Sequence, residues 1–406
     1  MNRPIPENKN LKTHAQTMPV EKMSAATHLR WRCSGREMFP AMLTAIAAAK
    51  KSIRLETYIY TDGSVGRRFL EALTAAAARG VQVRVLIDAI GSWPLPDLFF
   101  APLTAKGGEV RRFNPFHPRR FGVRDHRKLL LCDDSAIFIG GFNLADEYDG
   151  DGVASGWCDL GLQLESQRLA AKLDVSFAEL FTLSGFEQKS WRQFRAFRRR
   201  RKVKDASARE LLLAHPGRGA SQIQQALSRD LRQARCVRIV TPYFLPTLRL
   251  RRELIRTARR GGKVQLILPA KTDVPISQMA AHSLYRRLLR AGVEIYEYQP
   301  QILHTKLICI DGAVYVGSSN LDIRSLSLNY ELMLRLEQAS AVAEAAEIFE
   351  RLLGQSHQIE LKPWLKAQTW WQRWKNRWAR FLLARIDPFV ALHQFRSLRR
   401  LSPVRK

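Results

Sequence analysis

His126, Lys128 and Asp133 recur as His304, Lys306 and Asp311, so one spacing, HxKxxxxD, is written twice in a chain of 406 residues. At ordinary residue usage one such match arises by chance in about one chain in twenty of this length, and two in about one in a thousand. The pair needs a chemical reason. Along an extended segment side chains alternate between faces, which puts each histidine on the same face as the lysine two residues on. An imidazole beside an ammonium suits a phosphate: lysine is a fixed cation for its oxygens, and a neutral imidazole is a competent nucleophile. A phosphodiester has a poor leaving group, so two imidazoles divide the work, one attacking phosphorus and the other protonating the departing oxygen. The two copies are too alike for their residues to say which does which. Asp133 and Asp311 stand with the other four as candidate catalytic residues, but they lie five positions beyond their lysines. That odd separation turns them to the opposite face near a strand end, where capping the turns Asp133-Asp134-Ser135 and Asp311-Gly312 is the preferred role.

Each copy continues into an apolar segment, a glycine and an asparagine: Ile139-Gly140-Gly141-Phe142-Asn143 and Val316-Gly317-Ser318-Ser319-Asn320. With this context, and the continuation Leu144-Ala145-Asp146-Glu147-Tyr148, the chain resembles the phospholipase D superfamily over residues 36–355, most closely its bacterial cardiolipin synthase branch. The resemblance implies two α/β domains, each a central mixed sheet flanked by helices, related by a pseudo-twofold axis and giving one half-site each. It also implies phosphatidyl transfer through a phosphohistidine, with His126 as nucleophile and His304 as general acid and then base. No metal or other cofactor is expected, since lysine is a poor ligand and no His and Cys cluster has ligand spacing. Each histidine needs a carboxylate on its second nitrogen to fix its tautomer. Asp159 and Glu331, downstream in the two units, match the family's orienting carboxylates. Asn143 and Asn320 are candidate neutral donors to the phosphate. Hydrolysis of a phospholipid or a nucleic acid is the alternative chemistry on the same intermediate. A non-catalytic module binding anionic lipid or nucleic acid requires a broken half-site, and both are intact.

The elements that must position these residues are themselves duplicated. Ser52 to Tyr60 reads as a strand, Val65 to Arg79 as a helix ended by Gly80, and Val81 to Ile87 as a buried strand. Val237 to Leu245, Leu248 to Arg260 and Gly261 to Leu268 repeat that order, and Glu109–Phe113 is matched by Glu294–Tyr298. Arg54 and Arg238, Gly80 and Gly261, and His126 and His304 keep a nearly constant offset, so a whole unit is duplicated. The domains expected are 28–205 and 206–358, after an N-terminal tail of 1–27 and before a basic tail of 359–406. The boundary between them holds the run Lys189 to Lys204, without an acid and read as a surface linker.

A net charge of +29 points to polyanionic partners, and 46% hydrophobic residues is ordinary for a globular chain. Cys33, Cys132, Cys158, Cys236 and Cys309 form no CxxC pair and read as reduced thiols. Met1 to Thr27 carries no apolar stretch of signal-peptide length. No apolar run has the ~18 residues of a spanning helix. The expectation is therefore a peripheral enzyme at the cytoplasmic face of an anionic membrane, with phospholipid substrates and no nucleic acid. From Pro363, Trp364, Trp371, Trp374, Trp378 and Phe381 recur at helical spacing with Lys366, Arg373, Arg377 and Arg380 opposite. That pattern predicts one interfacial helix over 363–386, ended by Asp387-Pro388. His14, His28, His117, His215, His282, His357 and His393 have no repeated partner and read as surface or packing residues. His117 lies in a Pro-containing basic and aromatic loop.

Overall fold

The computed structural model describes residues 29–115, 122–184, 210–217 and 219–386. The N-terminal tail, the segment around His117, the basic run 189–204 and the chain beyond 386 lie outside the described residues.

The first unit runs β1 (Leu29–Arg32), α1 (Gly35–Ala48), β2 (Ser52–Thr57), α2 (Ser64–Ala78), β3 (Gln82–Asp88), α3 (Ala101–Ala105), β4 (Glu109–Phe113), β5 (Leu129–Cys132), β6 (Ala136–Gly140), β7 (Gly161–Glu165) and α4 (Gln167–Ser184). The second opens with β8 (Leu211–Ala214), α5 (Gln222–Leu231), β9 (Cys236–Val240), β10 (Phe244–Leu245), α6 (Leu248–Arg259), β11 (Lys263–Pro269), α7 (Pro275–Leu289) and β12 (Glu294–Tyr298). It goes on through β13 (Leu307–Ile310), β14 (Ala313–Gly317), β15 (Leu321–Asp322), α8 (Ile323–Ser327), β16 (Glu331–Leu336), α9 (Ala339–Gly354) and β17 (Ser356–Ile359). Two helices follow, α10 (Leu361–Ala367) and α11 (Trp370–Phe381).

The seven strands of the first sheet lie in the order β1-β7-β6-β5-β2-β3-β4, and the second sheet, read from its β8 edge, repeats it as β8-β16-β14-β13-β9-β11-β12 with β17 added. In both, three strands run parallel and the remainder are antiparallel. The central strands β5 and β13 are buried along their whole length, as strands covered on both faces must be. Gly80 and Gly261 end α2 and α6 with φ of 86° and 85°, the left-handed conformation that only glycine adopts without strain. The strand expected over Val237 to Leu245 is broken into β9 and β10, because Pro242 has no amide to donate.

One apolar cluster crosses the boundary between units: Leu129, Leu131, Leu162 and Leu164 of the first sheet pack with Leu307, Val316, Leu332 and Leu334 of the second. The two sheets therefore share a core. None of the five cysteines is in a disulfide.

The single helix expected over 363–386 is corrected to two. Thr369 closes a capping box with Gln372, starting α11 afresh after α10 ends at Ala367. Trp364 packs on His282 and Tyr285 with ring centroids 4.9 Å away. The other tryptophans do not pack inward. Asn376 and Ala379 are the buried face of α11, while Trp370, Trp371, Trp374, Trp378 and Phe381 keep 49–64% of their surface exposed.

Candidate active site

The HxK segments enter the fold just before β5 and β13, and the carboxylate segments open β7 and β16, so all four begin at the same end of their sheets. There the two units are stitched together. Asp125 bridges Tyr330, and Leu303 bridges Cys158, each in parallel register. The His126 amide donates to the Tyr330 carbonyl at 3.0 Å and the His304 amide to the Cys158 carbonyl at 2.7 Å. Each histidine segment is thus laddered to the residue preceding the other unit's carboxylate.

The side chains follow the backbone. His126 Nδ1 lies 3.0 Å from Glu331 Oε1, and His304 Nδ1 lies 2.6 Å from Asp159 Oδ2. Asp159 and Glu331 are buried and oriented on the ring nitrogens, but the pairing is crossed: the carboxylate downstream in each unit serves the histidine of the other. With Nδ1–H held by a carboxylate, Nε2 keeps a lone pair, the tautomer that attack on phosphorus requires. Ser318 adds a hydrogen bond of 2.5 Å to Glu331 Oε2. Where the second unit has Ser318 the first has Gly141, and a Cβ there would meet Asp159 Oδ1 at 2.1 Å. Replacing Gly141 by alanine is expected to displace the carboxylate behind His304. Turnover should fall about tenfold to a hundredfold with the fold retained, as steady-state kinetics and circular dichroism of Gly141→Ala would register.

Lys128 and Lys306 are buried beside the imidazoles, each Nζ donating to the carbonyl of the histidine two residues before it, at 2.7 and 2.5 Å. Burial pushes Lys128 down to about 7, with Glu331 opposing and Lys306 reinforcing the shift. Burial likewise takes Lys306 down to about 8, against the pull of Asp159. Burial also lowers both histidines, His304 strongly and with help from Lys306 and Lys128. Asp159 is raised by burial to about 7, although Lys306 opposes this. Burial alone would raise Glu331 too, but His126, Lys128 and Ser318 together outweigh it and leave that carboxyl below its ordinary value. Burial thus disfavours charge on the lysines, the histidines and Asp159 alike. A phosphate in the pocket would restore charge to the lysines.

Asp133 and Asp311 do not join this group. Both sit at hairpin turns with φ of 53° and 48°, at the far end of β5 and β13, a strand length of ~16 Å from the lysines. Asp133 accepts from the amides of Lys50, Lys51 and Ser52, and Asp311 from those of Arg235 and Cys236. Both carboxylates tie the β5–β6 and β13–β14 turns to the strands beside them. Asn143 is engaged on both sides of its amide: its oxygen accepts from the Ile59 amide, and one of its two N–H donors goes to Tyr148 Oη. Asn320 differs, because its buried oxygen has no partner among the described residues.

The residues after Asn143 also have structural work. Asp146 accepts from the first amides of α2, those of Ser64 and Val65. Tyr148 and Trp157 pack on His304 with centroids at 5.3 and 5.6 Å. Tyr58 packs edge-on against His126 at 5.0 Å. Sequence reasoning did not single out these rings, although aligning the units places Tyr58 of the Thr57-Tyr58 pair near Tyr243 of Thr241-Pro242-Tyr243. Behind His126, Arg127 grips Glu56 through two hydrogen bonds of 2.7 and 2.6 Å and donates to Ser176, a buried ion pair that Thr305 does not reproduce in the second unit.

The family described as "Cardiolipin synthase, PLD-like domain" matches residues 42–181 and 227–353. The chain is 33% identical over 353 residues to "Cardiolipin synthase B" of Escherichia coli K12, covering 84% of each. It is 32% identical over 339 residues to "Cardiolipin synthase 1" of Bacillus cereus, covering 80% of this chain and 66% of that relative's length. Among solved structures, phosphatidylserine synthase of Haemophilus influenzae superposes with a TM-score of 0.67 at 14% identity, covering 90% of this chain and 95% of the other. Polyphosphate kinase of Porphyromonas gingivalis reaches 0.53 at 16% identity, covering 82% and 48%. These two likenesses concern the fold.

Proposed function

Because the chain belongs to the family of cardiolipin synthases with phospholipase-D-like domains, we propose that it is a phosphatidyltransferase making cardiolipin, with phosphatidylglycerol as donor and acceptor. The observation that carries this reading is the pair of crossed, buried imidazole–carboxylate contacts facing two buried lysines. In the proposed cycle His126 Nε2 attacks phosphorus while His304 protonates the departing alcohol. The acceptor hydroxyl then displaces His126 as His304 takes its proton. Lys128 and Lys306 hold the non-bridging oxygens throughout, and no metal enters. Incubation with phosphatidylglycerol vesicles should give cardiolipin and free glycerol, insensitive to EDTA, and an oligonucleotide should survive. Phosphatidate in place of cardiolipin would make the enzyme a hydrolase, and loss of activity to EDTA with rescue by a divalent ion would overturn the metal-free scheme.

Such an enzyme must reach substrates held in a bilayer. Among the described residues no helix is long and apolar enough to cross a membrane, and the proposed attachment is the outward face of α11. Its rings form a continuous ladder, Trp370 on Trp371 at 3.8 Å, then Trp374, Trp378 and Phe381 at successive spacings of 6.1, 5.8 and 5.9 Å. The rim beside it is cationic: Arg251 is depressed first by burial and then by the neighbouring charges of Arg287, Arg380 and Arg252. Tryptophan suits the membrane boundary, and each nearby cation adds ~1 kcal/mol on an anionic leaflet. The cytoplasmic leaflet is the proposed one, where free thiols stay reduced. Deleting 361–406 is expected to abolish most sedimentation with anionic vesicles, and activity on them, while activity on short-chain lipid in detergent remains. Equal vesicle binding by the truncated chain would move the attachment elsewhere.

A further inference from the structure

The two units differ at the loop that follows their second parallel strand. In the first, Asp88 ends β3 and is wholly buried and engaged, bonded to Arg124 at 3.2 Å and to the amides of Asp125, Ile90 and Gly91. In the second, β11 ends at Pro269 and the acid is Asp273, exposed to solvent. Asp273 has no ion pair among the described residues, and its contact is Tyr243 Oη, which donates to Oδ2 at 2.6 Å. Tyr243 stands in the loop leaving β9, so the pair joins the loops at the carboxyl ends of two adjacent parallel strands, where open α/β sheets place their ligands.

The loop that carries Tyr243 lies against the segment after Asn320: Phe244 pairs with Leu321, and the Leu321 amide donates to Thr241 Oγ1 at 3.2 Å. The Asp273 charge raises the proton affinity of His304 and Lys306, and it reaches Tyr148, whose ring packs on His304. A carboxylate whose charge is felt by His304 and Lys306 disfavours a phosphate there, a cost unless it binds something other than phosphate. On the proposed transferase cycle, the alcohol that leaves and the alcohol that enters both exchange a proton with His304. A neutral alcohol with a second hydroxyl can attack phosphorus through one oxygen and donate the other hydroxyl to a carboxylate. An ammonium headgroup would bring a third positive charge beside Lys128 and Lys306.

We propose that Asp273, fixed by Tyr243, is the acceptor-recognition residue, accepting a hydrogen bond from the second hydroxyl of a vicinal diol such as the glycerol headgroup. This rests on the transferase reading. In the step it serves, the diol's reacting oxygen forms a bond to phosphorus, the phosphorus–nitrogen bond to His126 breaks, and the hydroxyl proton passes to His304. Asp273 itself exchanges no proton.

The test uses the full chain with a phosphatidyl p-nitrophenyl ester dispersed in detergent, and glycerol, ethanol and ethanolamine as competing acceptors. Release of p-nitrophenol reports the intermediate, and the lipid products report its partition. The wild type should favour glycerol over ethanol by about tenfold or more, as a site built to hydrogen-bond a hydroxyl does. Asp273→Ala should erase most of that preference, and Tyr243→Phe part of it, with ethanol transfer falling far less than glycerol transfer. An unchanged glycerol-to-ethanol ratio in Asp273→Ala, equal loss on both alcohols, or a wild-type preference for ethanolamine would each overturn the assignment. No p-nitrophenol release by the wild type would instead overturn the transferase reading, and this assignment with it.

Discussion

His126→Ala and His304→Ala are each expected to lose about 10⁴-fold in turnover on phosphatidylglycerol, and to fail at different steps. Without His126 there is no nucleophile, so no lipid becomes attached to the protein with any donor. Without His304 the nucleophile survives, its Nδ1 still held by Glu331 at 3.0 Å, but a departing alkoxide has no acid to protonate it. A p-nitrophenolate needs none. His304→Ala should therefore release one equivalent of p-nitrophenol from the activated ester in a burst and stop, with the phosphatidyl group on His126. Mass spectrometry of a rapid digest locates the adduct. If the burst belonged to His126→Ala and the adduct to residue 304, the two roles would be exchanged. That residue 304 is the one whose surroundings include the exposed acid Asp273 agrees with its place on the alcohol side.

The second large effect is a gain of stability bought with activity. Lys128 and Lys306 are buried, each drawn down in proton affinity by burial. Lys128→Met keeps an unbranched apolar stem, one atom shorter, and removes a cation that the folded protein solvates poorly. Turnover should drop by about 10³-fold, as for loss of a principal oxyanion donor, while the melting temperature rises by several degrees. The pH dependence carries the sign. An unfolded lysine titrates near 10.4, whereas the folded one titrates at about 7, so between these values the unfolded chain binds more protons and wild-type stability climbs with pH. The melting advantage of Lys128→Met should accordingly be full at pH 6 and shrink towards pH 10. An advantage that held constant across that range would mean that the charge is not its source.

The strands, helices and duplicated order were legible because each rests on local patterning: period-two apolar runs, an Ala- and Leu-rich helix, a glycine at each helix end. Asp159 and Glu331 were legible through the resemblance, as the positions that match the family's orienting carboxylates. Their crossed assignment was not, because a sequence orders residues along one unit, whereas the pairing is set by where the sheets meet. Asn143 and Asn320 occupy one position of the repeat and have different partners, a divergence that depends on Tyr148 and Ile59 in the first unit. The tail shows the opposite case. Helical spacing suggested one apolar stripe from Trp364 to Phe381, yet Thr369 and Gln372 at capping-box spacing carried a readable interruption. Trp364, before it, is partly buried and packs against the core; the tryptophans after it face outward.

The crossing of the two histidine–carboxylate pairs also bears on how such a chain can be inherited. Each imidazole depends on an acid encoded in the opposite half of the gene, and each acid is held by a backbone bridge to that imidazole's own segment. Recombination that exchanged one half for a homologous half would leave every catalytic residue present by name while re-pairing both contacts with strangers. The halves are therefore bound to drift together: a substitution such as one at Gly141 meets its counterpressure at Asp159 and, through it, at residue 304. A molecule that looks like two copies of one module behaves, for heredity, as a single indivisible locus.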